Sequence, residues 1–262
     1  MAKRKKSKLG RIIYILVILF LIAVIVISGI KIGQFLMDWR EDSNTSKEVQ
    51  KLVINTIKQD NDDPQSEFTH EAWNQLYAQN HDLVGYMVFP DGFCSQPIVQ
   101  AKDNDYYLRR NFITKQYSTQ GTVFMDYRDT VNSQNITVYG HHVFYDQNAM
   151  FTPISKLVDQ NVYDQHHEFN VYYKDSVASY VITNVYIYNI STANGYSFAQ
   201  PDFYDDYTVL DHIKFANQNN RIKPVDTVNS TNDRLFTMQT CATTNTNDRT
   251  IIVAKEVSRK EY

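Results

Sequence analysis

Residues 234–253 read RLFTMQTCATTNTNDRTIIV and carry the clearest strand pattern in the chain. A run of β-branched and aromatic residues ends at Cys241, and a second apolar run follows Arg249. The polar loop between them, Ala242–Asp248, predicts a turn. The pattern therefore predicts a β-hairpin with a thiol at the end of one strand and a guanidinium at the start of the next.

Short strand patterns of the same kind recur along most of the chain after residue 82. They are Leu83–Phe89, Pro97–Gln100, Gly121–Tyr127, Asn135–Gly140, Phe169–Tyr173, Val177–Ile190, Arg234–Cys241 and Thr250–Val257. Two helical interruptions are predicted, at Met150–Val158 and Phe203–Asn217. Many short strands without regular βαβ alternation predict a mainly β fold, a barrel or sandwich with helical insertions.

Two helices are predicted ahead of the first strand. A capping-box pattern of Thr45 with Glu48 predicts the start of one, because apolar residues then follow at helical spacing. A second short helix is predicted through Glu71 and Tyr77, and the acidic loop Asp60–Ser66 lies between the two.

The N-terminus has the pattern of a membrane anchor. Residues 1–11 hold six cations and no acid, and the uncharged run Ile12–Ile30 is 19 residues long. A helix of that length spans about 28 Å, close to the hydrocarbon thickness of a bilayer. Residues 1–11 are predicted to stay cytoplasmic, with the rest of the chain outside the cell membrane. A cleaved secretory signal fits less well, because this run is long and Ser28-Gly29-Ile30-Lys31 is only a weak cleavage site.

Composition excludes several classes of function. With 43% hydrophobic residues, 8 Gly and 6 Pro among 262, the chain is neither collagen-like nor largely disordered. The net charge is −3 although residues 1–11 are strongly basic, so the exported part is acidic and no nucleic-acid partner is predicted. Two cysteines are too few for a disulfide scaffold.

A second predicted strand ends in Tyr139-Gly140-His141-His142, so an imidazole also reaches a strand end. A thiol, an imidazole and a guanidinium converging on one barrel would supply a nucleophile, a proton shuttle and an oxyanion donor for acyl transfer. Each is weak evidence alone, because a lone cysteine is more often a small buried hydrophobe. A disulfide between Cys94 and Cys241 is a second alternative in an exported chain.

A metal site is not predicted. Adjacent residues of a strand point to opposite faces, so the pair His141-His142 cannot bind one ion together, and no HxxxH or CxxC spacing is present. No cofactor is predicted either. The remaining histidines are expected to be exposed; these are His70, His81, His166, His167 and His212.

Five groups of segments stand in a specific order between Asn80 and Glu256. They are Asn80–Tyr86 (NHDLVGY), Pro97–Leu108 (PIVQ, then DNDYYL), Gly121–Arg128 (GTVFMDYR), Asn135–His142 with Met150-Phe151 (NITVYGHH, MF) and Thr237–Cys241 with Arg249 (TMQTC, R). In this order they resemble the class B sortases, the cell-surface cysteine transpeptidases of Gram-positive bacteria.

The resemblance implies a fold and a division of the chain. It implies an eight-stranded β-barrel with N-terminal helices and a helix between strands six and seven, where the Phe203–Asn217 pattern lies. The predicted divisions are a cytoplasmic segment at 1–11, a membrane span at 12–30, a juxtamembrane segment with helices at 31–79 and a catalytic barrel at 80–262.

The resemblance also implies the site. Cys241 resembles the family's nucleophile, His141 its acid and base, and Arg249 its oxyanion-side arginine. His141 is favoured over His142 because the family histidine directly follows Tyr-Gly. The implied substrate-binding positions are Asn104, Leu108, Tyr139 and Gln239, and many relatives have serine at the last of these.

The implied reaction is cleavage of a C-terminal sorting signal of the Asn-Pro-x-Thr kind after its threonine, through a thioester at Cys241. The implied acceptor is an amine of a peptidoglycan precursor or a pilin lysine. Two other functions stay open from the residues alone. One is an exported cysteine hydrolase that passes the acyl group to water, and the other is a membrane-anchored binding protein with a structural Cys241.

Overall fold

The structure is a computed structural model that describes residues 8–59, 70–192, 195–204, 206–241 and 247–261. Within these ranges, eight strands close into a barrel in the order β1-β2-β3-β4-β7-β8-β6-β5. Their bounds are Leu83–Val88 (β1), Ser95–Val99 (β2), Phe124–Met125 (β3), Asn135–Tyr139 (β4), Glu168–Tyr172 (β5), Ser176–Asn189 (β6), Leu235–Cys241 (β7) and Asp248–Glu261 (β8). The predicted mainly β barrel is thereby confirmed.

Four α-helices accompany the barrel in the described residues: Lys8–Gln59 (α1), His70–Gln79 (α2), Gln160–Gln165 (α3) and Val209–Asn219 (α4). Helix α4 lies between β6 and β7, as the resemblance implied. The helix expected at Met150–Val158 is instead a short 3-10 helix, Ile154–Val158, followed by α3.

Helix α4 begins later than the Phe203 pattern predicted. Tyr204 and Tyr207 pair with each other as an isolated bridge, and Thr208 then caps the helix. The Thr208 side chain accepts from the Asp211 N–H, and the Asp211 carboxylate accepts from the Thr208 N–H. This capping box marks the start of the helix. The sequence pattern hid it because Phe203 and Tyr207 lie at helical spacing with the apolar residues that follow.

The predicted helix start at Thr45 is wrong, because α1 already runs through that residue. The Thr45 hydroxyl accepts a hydrogen bond from the Asn111 side chain at 2.9 Å instead of capping a new helix. The acidic loop at Asp60–Ser66 lies outside the described residues.

The strand predicted at Gly121–Tyr127 shortens to the two residues of β3 because its first half bonds to a loop. The Thr122 N–H donates to Tyr107 O at 3.1 Å, and its hydroxyl donates to Arg110 O at 2.8 Å. Gly121, with φ +65°, makes the turn that brings this segment onto the loop. The loop of residues 106–122 is thereby held against the barrel.

Two apolar clusters hold β7 in place from opposite sides. Phe236 and Met238 belong to the barrel core, which also includes Ile136 and Val138 of β4. Leu235 belongs to a second cluster that packs against α4. The alternation along β7 therefore puts one set of residues inside the barrel and the other on its outer face.

The chain divides into two compact units, Met1–Glu41 and Asp42–Tyr262. In the described residues, one helix is apolar and long enough to cross a membrane by length and composition, within Lys8–Val53, with a mean hydropathy of 3.2 over its best window. Its side chains in that window are not buried by other parts of the chain. The second unit contains the whole barrel.

Candidate active site

The register of three strands brings the predicted catalytic positions to one edge of the barrel. Strands β4 and β7 run parallel, with Tyr139 opposite Gln239, and the Gly140 N–H donates to Gln239 O at 3.1 Å. Strands β7 and β8 run antiparallel, with the Cα of Cys241 opposite the Cα of Arg249. His141 therefore leaves β4 at the same edge where β7 ends and β8 begins. The Cys241 side chain lies outside the described part of the chain.

His141 is fixed by the packing beneath its backbone. A Cβ at the preceding Gly140 would lie 2.6 Å from the ring of Phe151, so this approach requires glycine. The Phe151 N–H donates to His141 O at 3.0 Å, and Phe151 itself is fully buried in the core. The loop after β4 is thus held at the barrel edge by a core side chain.

The His141 ring is half-buried and hydrogen-bonded. Its Nε2 lies 2.9 Å from Leu108 O, and since a carbonyl can only accept, Nε2 carries the proton of the neutral ring. Burial lowers the pKa of His141 below its usual value of 6.5, and Arg109 adds to this, although the bond to Leu108 O opposes it. The imidazole is therefore neutral near pH 7, with Nδ1 as its basic nitrogen.

His142 has a different environment. Its Nδ1 lies 3.1 Å from the Ser155 hydroxyl, and its ring packs edge-on against Phe144. Burial lowers the pKa of His142, and Lys156 adds to this. His142 thus ties the loop after β4 to the 3-10 helix Ile154–Val158.

Arg249 is half-buried at the start of β8, and its Nη1 donates to Asp248 O at 3.0 Å. The Asp248 carboxylate accepts from the Asn189 side chain at 2.6 Å. The neighbouring strand β6 thereby fixes the position of residue 248, from which β8 begins.

The four predicted substrate-binding positions surround the same edge. Leu108 is 38% exposed, and its carbonyl binds His141. Gln239 and Tyr139 are half-buried and adjacent across β4 and β7. Asn104 and Tyr139 both donate to the buried carboxylate of Asp126. Asp126 lies within the segment GTVFMDYR, but nothing in the local pattern marks it as a site residue.

The alternative disulfide is not formed. Cys94 is a free, buried cysteine whose Sγ lies 3.5 Å from Met150 O. Burial raises the pKa of the Cys94 thiol to about 12. Cys94 is therefore a small buried hydrophobe of the barrel core, and the alternative left open by the sequence, a pairing with Cys241, is excluded.

The expectation that His212 is exposed is also wrong. His212 lies on α4 with 1% of its surface exposed, among the rings of Tyr196, Phe203 and Tyr207. Burial lowers its pKa to about 4. The exposure expected of His81 is confirmed.

His166 and His167 are half-buried rather than exposed, and the ring of His166 stacks on Phe93. The side chain of His70 lies outside the described residues. Across the described ranges, no group of three His, Cys, Asp or Glu side chains is arranged to hold a metal ion.

A family model of the sortase domain matches residues 94–257, well over half of the chain. The chain therefore belongs to the sortase family, whose members are cysteine transpeptidases. The class B resemblance is confirmed by the relatives. Sortase B of Staphylococcus aureus is 29% identical over 244 residues, covering 90% of this chain and 93% of that protein.

Solved structures agree with this assignment. The Staphylococcus aureus sortase B–substrate complex is matched with a TM-score of 0.71 at 24% identity, covering 85% of this chain and 99% of that one, which shows a common fold. A sortase B complexed with triglycine is matched with a TM-score of 0.69 at 25% identity, covering 84% of this chain and all of that one.

Proposed function

We propose that this chain cleaves a C-terminal sorting signal of the Asn-Pro-x-Thr kind after threonine and transfers the protein to an amine. Cys241 is the nucleophile, His141 the acid and base, and Arg249 the group that stabilises the oxyanion. The observation that carries the proposal is the strand register, which pairs residue 241 with residue 249 and ends β4 beside β7.

In the first half-reaction, Cys241 gives its thiol proton to His141, and the sulfur attacks the threonine carbonyl carbon and forms the C–S bond. Negative charge gathers on the carbonyl oxygen, where the Arg249 guanidinium supplies N–H donors and positive charge. The C–N bond then breaks, and His141 gives the departing amine the proton that it needs. The product is a thioester between Cys241 and the threonine.

In the second half-reaction, an incoming primary amine attacks the thioester carbon and His141 accepts its proton. The C–S bond breaks and the thiol is regenerated, so no net oxidation or hydrolysis occurs. The acceptor class is an amine of a peptidoglycan precursor or a pilin lysine. The complex of a related sortase B with triglycine supports a short glycine peptide as the first acceptor to test.

The protonation states make this a slow enzyme. With ordinary pKa values of about 8.5 for Cys and about 6.5 for His, only about 1% of molecules near pH 7.5 would hold thiolate and imidazolium together. Burial lowers the pKa of His141 further, which reduces that fraction. The resting pair is therefore neutral thiol and neutral imidazole.

The signal peptide binds along the outer face beside β4 and β7, at Asn104, Leu108, Tyr139 and Gln239. Two of these side chains are adjacent across the paired strands, and the carbonyl of a third holds His141. Gln239 replaces the serine of many relatives with a longer amide. Residue 239 is therefore the position at which the preferred signal of this chain would differ from that of relatives with serine there.

The anchor proposal places residues 1–11 in the cytoplasm, residues 12–30 in the membrane and the barrel of 80–262 outside the cell, with 31–79 connecting them. The apolar stretch within Lys8–Val53 supports a membrane span. The basic cluster before it supports the orientation.

Thiol labelling tests whether Cys241 is a reactive nucleophile. Intact mass is followed during incubation of the full chain with a methanethiosulfonate or a vinyl sulfone. We expect one adduct, mapped to Cys241, whose rate depends on pH. The matched control is Cys241→Ala, which keeps the buried Cys94. Absence of an adduct on native protein would instead indicate a binding protein with a structural cysteine.

Transfer and hydrolysis are separated by product analysis. A signal peptide is incubated with and without triglycine, and products are identified by mass. A transpeptidase gives the ligated product when the amine is present. Release of only the free threonine acid at saturating amine would assign the hydrolase function.

A further inference from the structure

The carboxylate of Asp126 is a fully buried acceptor at the end of β3. Its Oδ2 accepts from Asn104 Nδ2 at 3.0 Å, from the Tyr139 hydroxyl at 2.7 Å and from Arg128 Nη2 at 2.8 Å. Its Oδ1 accepts from Arg128 Nε at 2.8 Å and from the Arg128 N–H at 3.0 Å. Both oxygens are therefore saturated by donors.

Within the cluster of Asp126, Arg128, Asn104 and Tyr139, the Asp126 carboxylate stays ionised. Burial acts to raise the pKa of Asp126, but the hydrogen bonds from Arg128, Tyr139 and Asn104 outweigh it and lower that pKa to about 2. The carboxylate is therefore ionised at any pH at which the enzyme would work. Charge-assisted bonds of this kind hold their donors more firmly than neutral ones do.

The amide of Asn104 has a single allowed orientation. Its Nδ2 donates to the Asp126 carboxylate, while its Oδ1 accepts from the Tyr127 N–H at 3.0 Å. A flipped amide would set an oxygen against the carboxylate and an NH2 against an N–H donor. One N–H and one lone pair of Asn104 thus keep a defined direction for a ligand.

The cluster also extends to the segment that leads into α4. Arg128 Nη2 donates to Ala199 O at 2.9 Å, in addition to binding Asp126. Asn135 of β4 donates from Nδ2 to Phe198 O and Gln200 O at 3.0 and 2.9 Å. Strand β4 and the segment 198–200 are therefore held together beside the residues that surround Asp126.

We propose that Asp126 is a positioning residue for recognition of the sorting signal, acting through Asn104 and Tyr139. This inference rests on the proposed function, which assigns signal binding to those two side chains. Asp126 touches neither the substrate nor the reacting atoms; it fixes the directions in which Asn104 and Tyr139 meet the peptide. Without it, both side chains would have to be ordered when the signal binds, which weakens binding.

The test is Asp126→Asn, compared with Asp129→Asn as the matched control. The amide is nearly isosteric with the carboxylate, but it brings an NH2 group to a site filled with donors. Asp129 lies in the same turn and is also buried, and its Oδ2 accepts from the Thr137 N–H at 2.6 Å. The control therefore changes a buried acid of the same turn whose hydrogen bond is to the barrel rather than to the predicted signal-binding side chains.

We expect D126N to raise KM for the signal peptide about tenfold while kcat stays within about twofold. The rate of Cys241 labelling should stay at the native value. Discrimination between the signal and a variant with its asparagine replaced should fall several-fold. For D129N, KM and discrimination should stay within about twofold of native.

A double-mutant cycle separates positioning from general loosening of the fold. Because Asp126 acts partly through Asn104 and partly through Tyr139, Asn104→Ala and D126N together should raise KM by less than the product of the two single effects. If the fold-increase in KM of the double variant equals the product of the two single fold-increases, the inference is overturned. A loss confined to kcat, or equal KM effects in D126N and D129N, would also overturn it.

Two further results keep the inference separable from the proposed function. If D126N does not fold, Tyr139→Phe takes its place as the test, because it removes only the hydroxyl that donates to Asp126. The KM of this variant should rise while its kcat stays unchanged. An unchanged KM would overturn the inference. If native protein forms no thioester with any signal peptide, the proposed function fails and the inference fails with it. A thioester in native protein with native KM in D126N overturns the inference alone.

Discussion

At the residue scale, the proposed chemistry depends on the guanidinium of Arg249 being more than a positive charge. Its planar fork can present two N–H donors to one oxygen, which an ammonium group cannot reproduce. We expect Arg249→Lys to lower kcat/KM for the signal peptide about 100-fold or more. Steady-state kinetics with a quenched fluorescent peptide measures this, and native-like activity would remove Arg249 from the oxyanion role.

The lowered pKa of His141 sets the acid limb of the pH profile. The active form needs imidazolium together with thiolate, so a plot of kcat/KM against pH is bell-shaped. Its acid side is set by the lower of the two pKa values, that of His141, and its basic side by the higher one, that of Cys241. Because burial lowers the pKa of His141 below 6.5, the lower bound should lie below 6.5. A profile from about pH 4.5 to about pH 10 tests this. A lower bound above 6.5, or a flat profile, would contradict it.

Gly140 should tolerate no side chain. A Cβ there would lie 2.6 Å from the Phe151 ring, which is fixed in the core. We expect Gly140→Ala to displace the loop that carries His141 and to lower kcat/KM at least about tenfold. The control is Gly85→Ala in β1, where a Cβ would make ordinary contacts no closer than 3.4 Å. Equal, small effects of both changes would contradict the account.

The three catalytic residues are predicted from the sequence for a local reason. Cys241 and His141 lie where strand patterns end and Arg249 lies where one begins, and strand ends can be found from local pattern alone. Asp126 was missed because its proposed role depends on contacts with Asn104 and Tyr139, which are distant along the chain. His212 was misjudged because nothing local shows that aromatic rings from a preceding loop cover it.

At the element scale, α4 carries a buried histidine that should make stability depend on pH. The unfolded chain binds a proton at His212 near pH 6.5, whereas the folded chain does so only near pH 4. The unfolded state therefore holds more protons between these values, and stability falls as pH is lowered from 6.5 to 4.

His212→Phe should remove the part of the pH dependence of stability that comes from His212. The free energy of unfolding of native protein should drop relative to the variant by roughly 2 kcal/mol as the pH falls from 6.5 to 4. Burial raises the pKa of Asp129 to about 7, which gives the opposite trend over this range. That contribution is common to both proteins and cancels in the difference. Urea titrations of both proteins at each pH measure this difference in the free energy of unfolding. The same pH dependence in both proteins would contradict a lowered pKa of His212.

The bounds of strands and helices were predicted well where a single sequence pattern defined them. They were predicted poorly where apolar residues outside the element continued the same pattern. Strands β6 and β7 were predicted to within a residue at each end, because their apolar runs are long and bounded by polar residues. Strand β3 was predicted too long, since its apolar first half is bound by the loop of residues 106–122. Helix α4 was predicted to start too early, because Phe203 and Tyr207 lie at helical spacing with the later apolar residues although they precede the helix.

At the scale of the whole molecule, an eight-stranded barrel follows an apolar helix near the N-terminus. The basic start and the apolar run predicted the helix, and the repeated strand patterns after residue 82 predicted the mainly β part. The closure of eight strands into a barrel was available only from the ordered motifs, because local patterns alone left a sandwich equally open. The strand register that joins β4, β7 and β8 required the structure.

The central claim is that an acyl group passes through Cys241, and intact mass with peptide mapping tests it most directly. Native protein is mixed with peptides that carry Asn-Pro-x-Thr signals and quenched in acid, with Cys241→Ala as control. We predict a mass increase equal to the peptide fragment ending in threonine, mapped to residue 241, absent in the control and removed on adding triglycine. Turnover that persists in Cys241→Ala, or an acyl group mapped to another residue, would contradict the account.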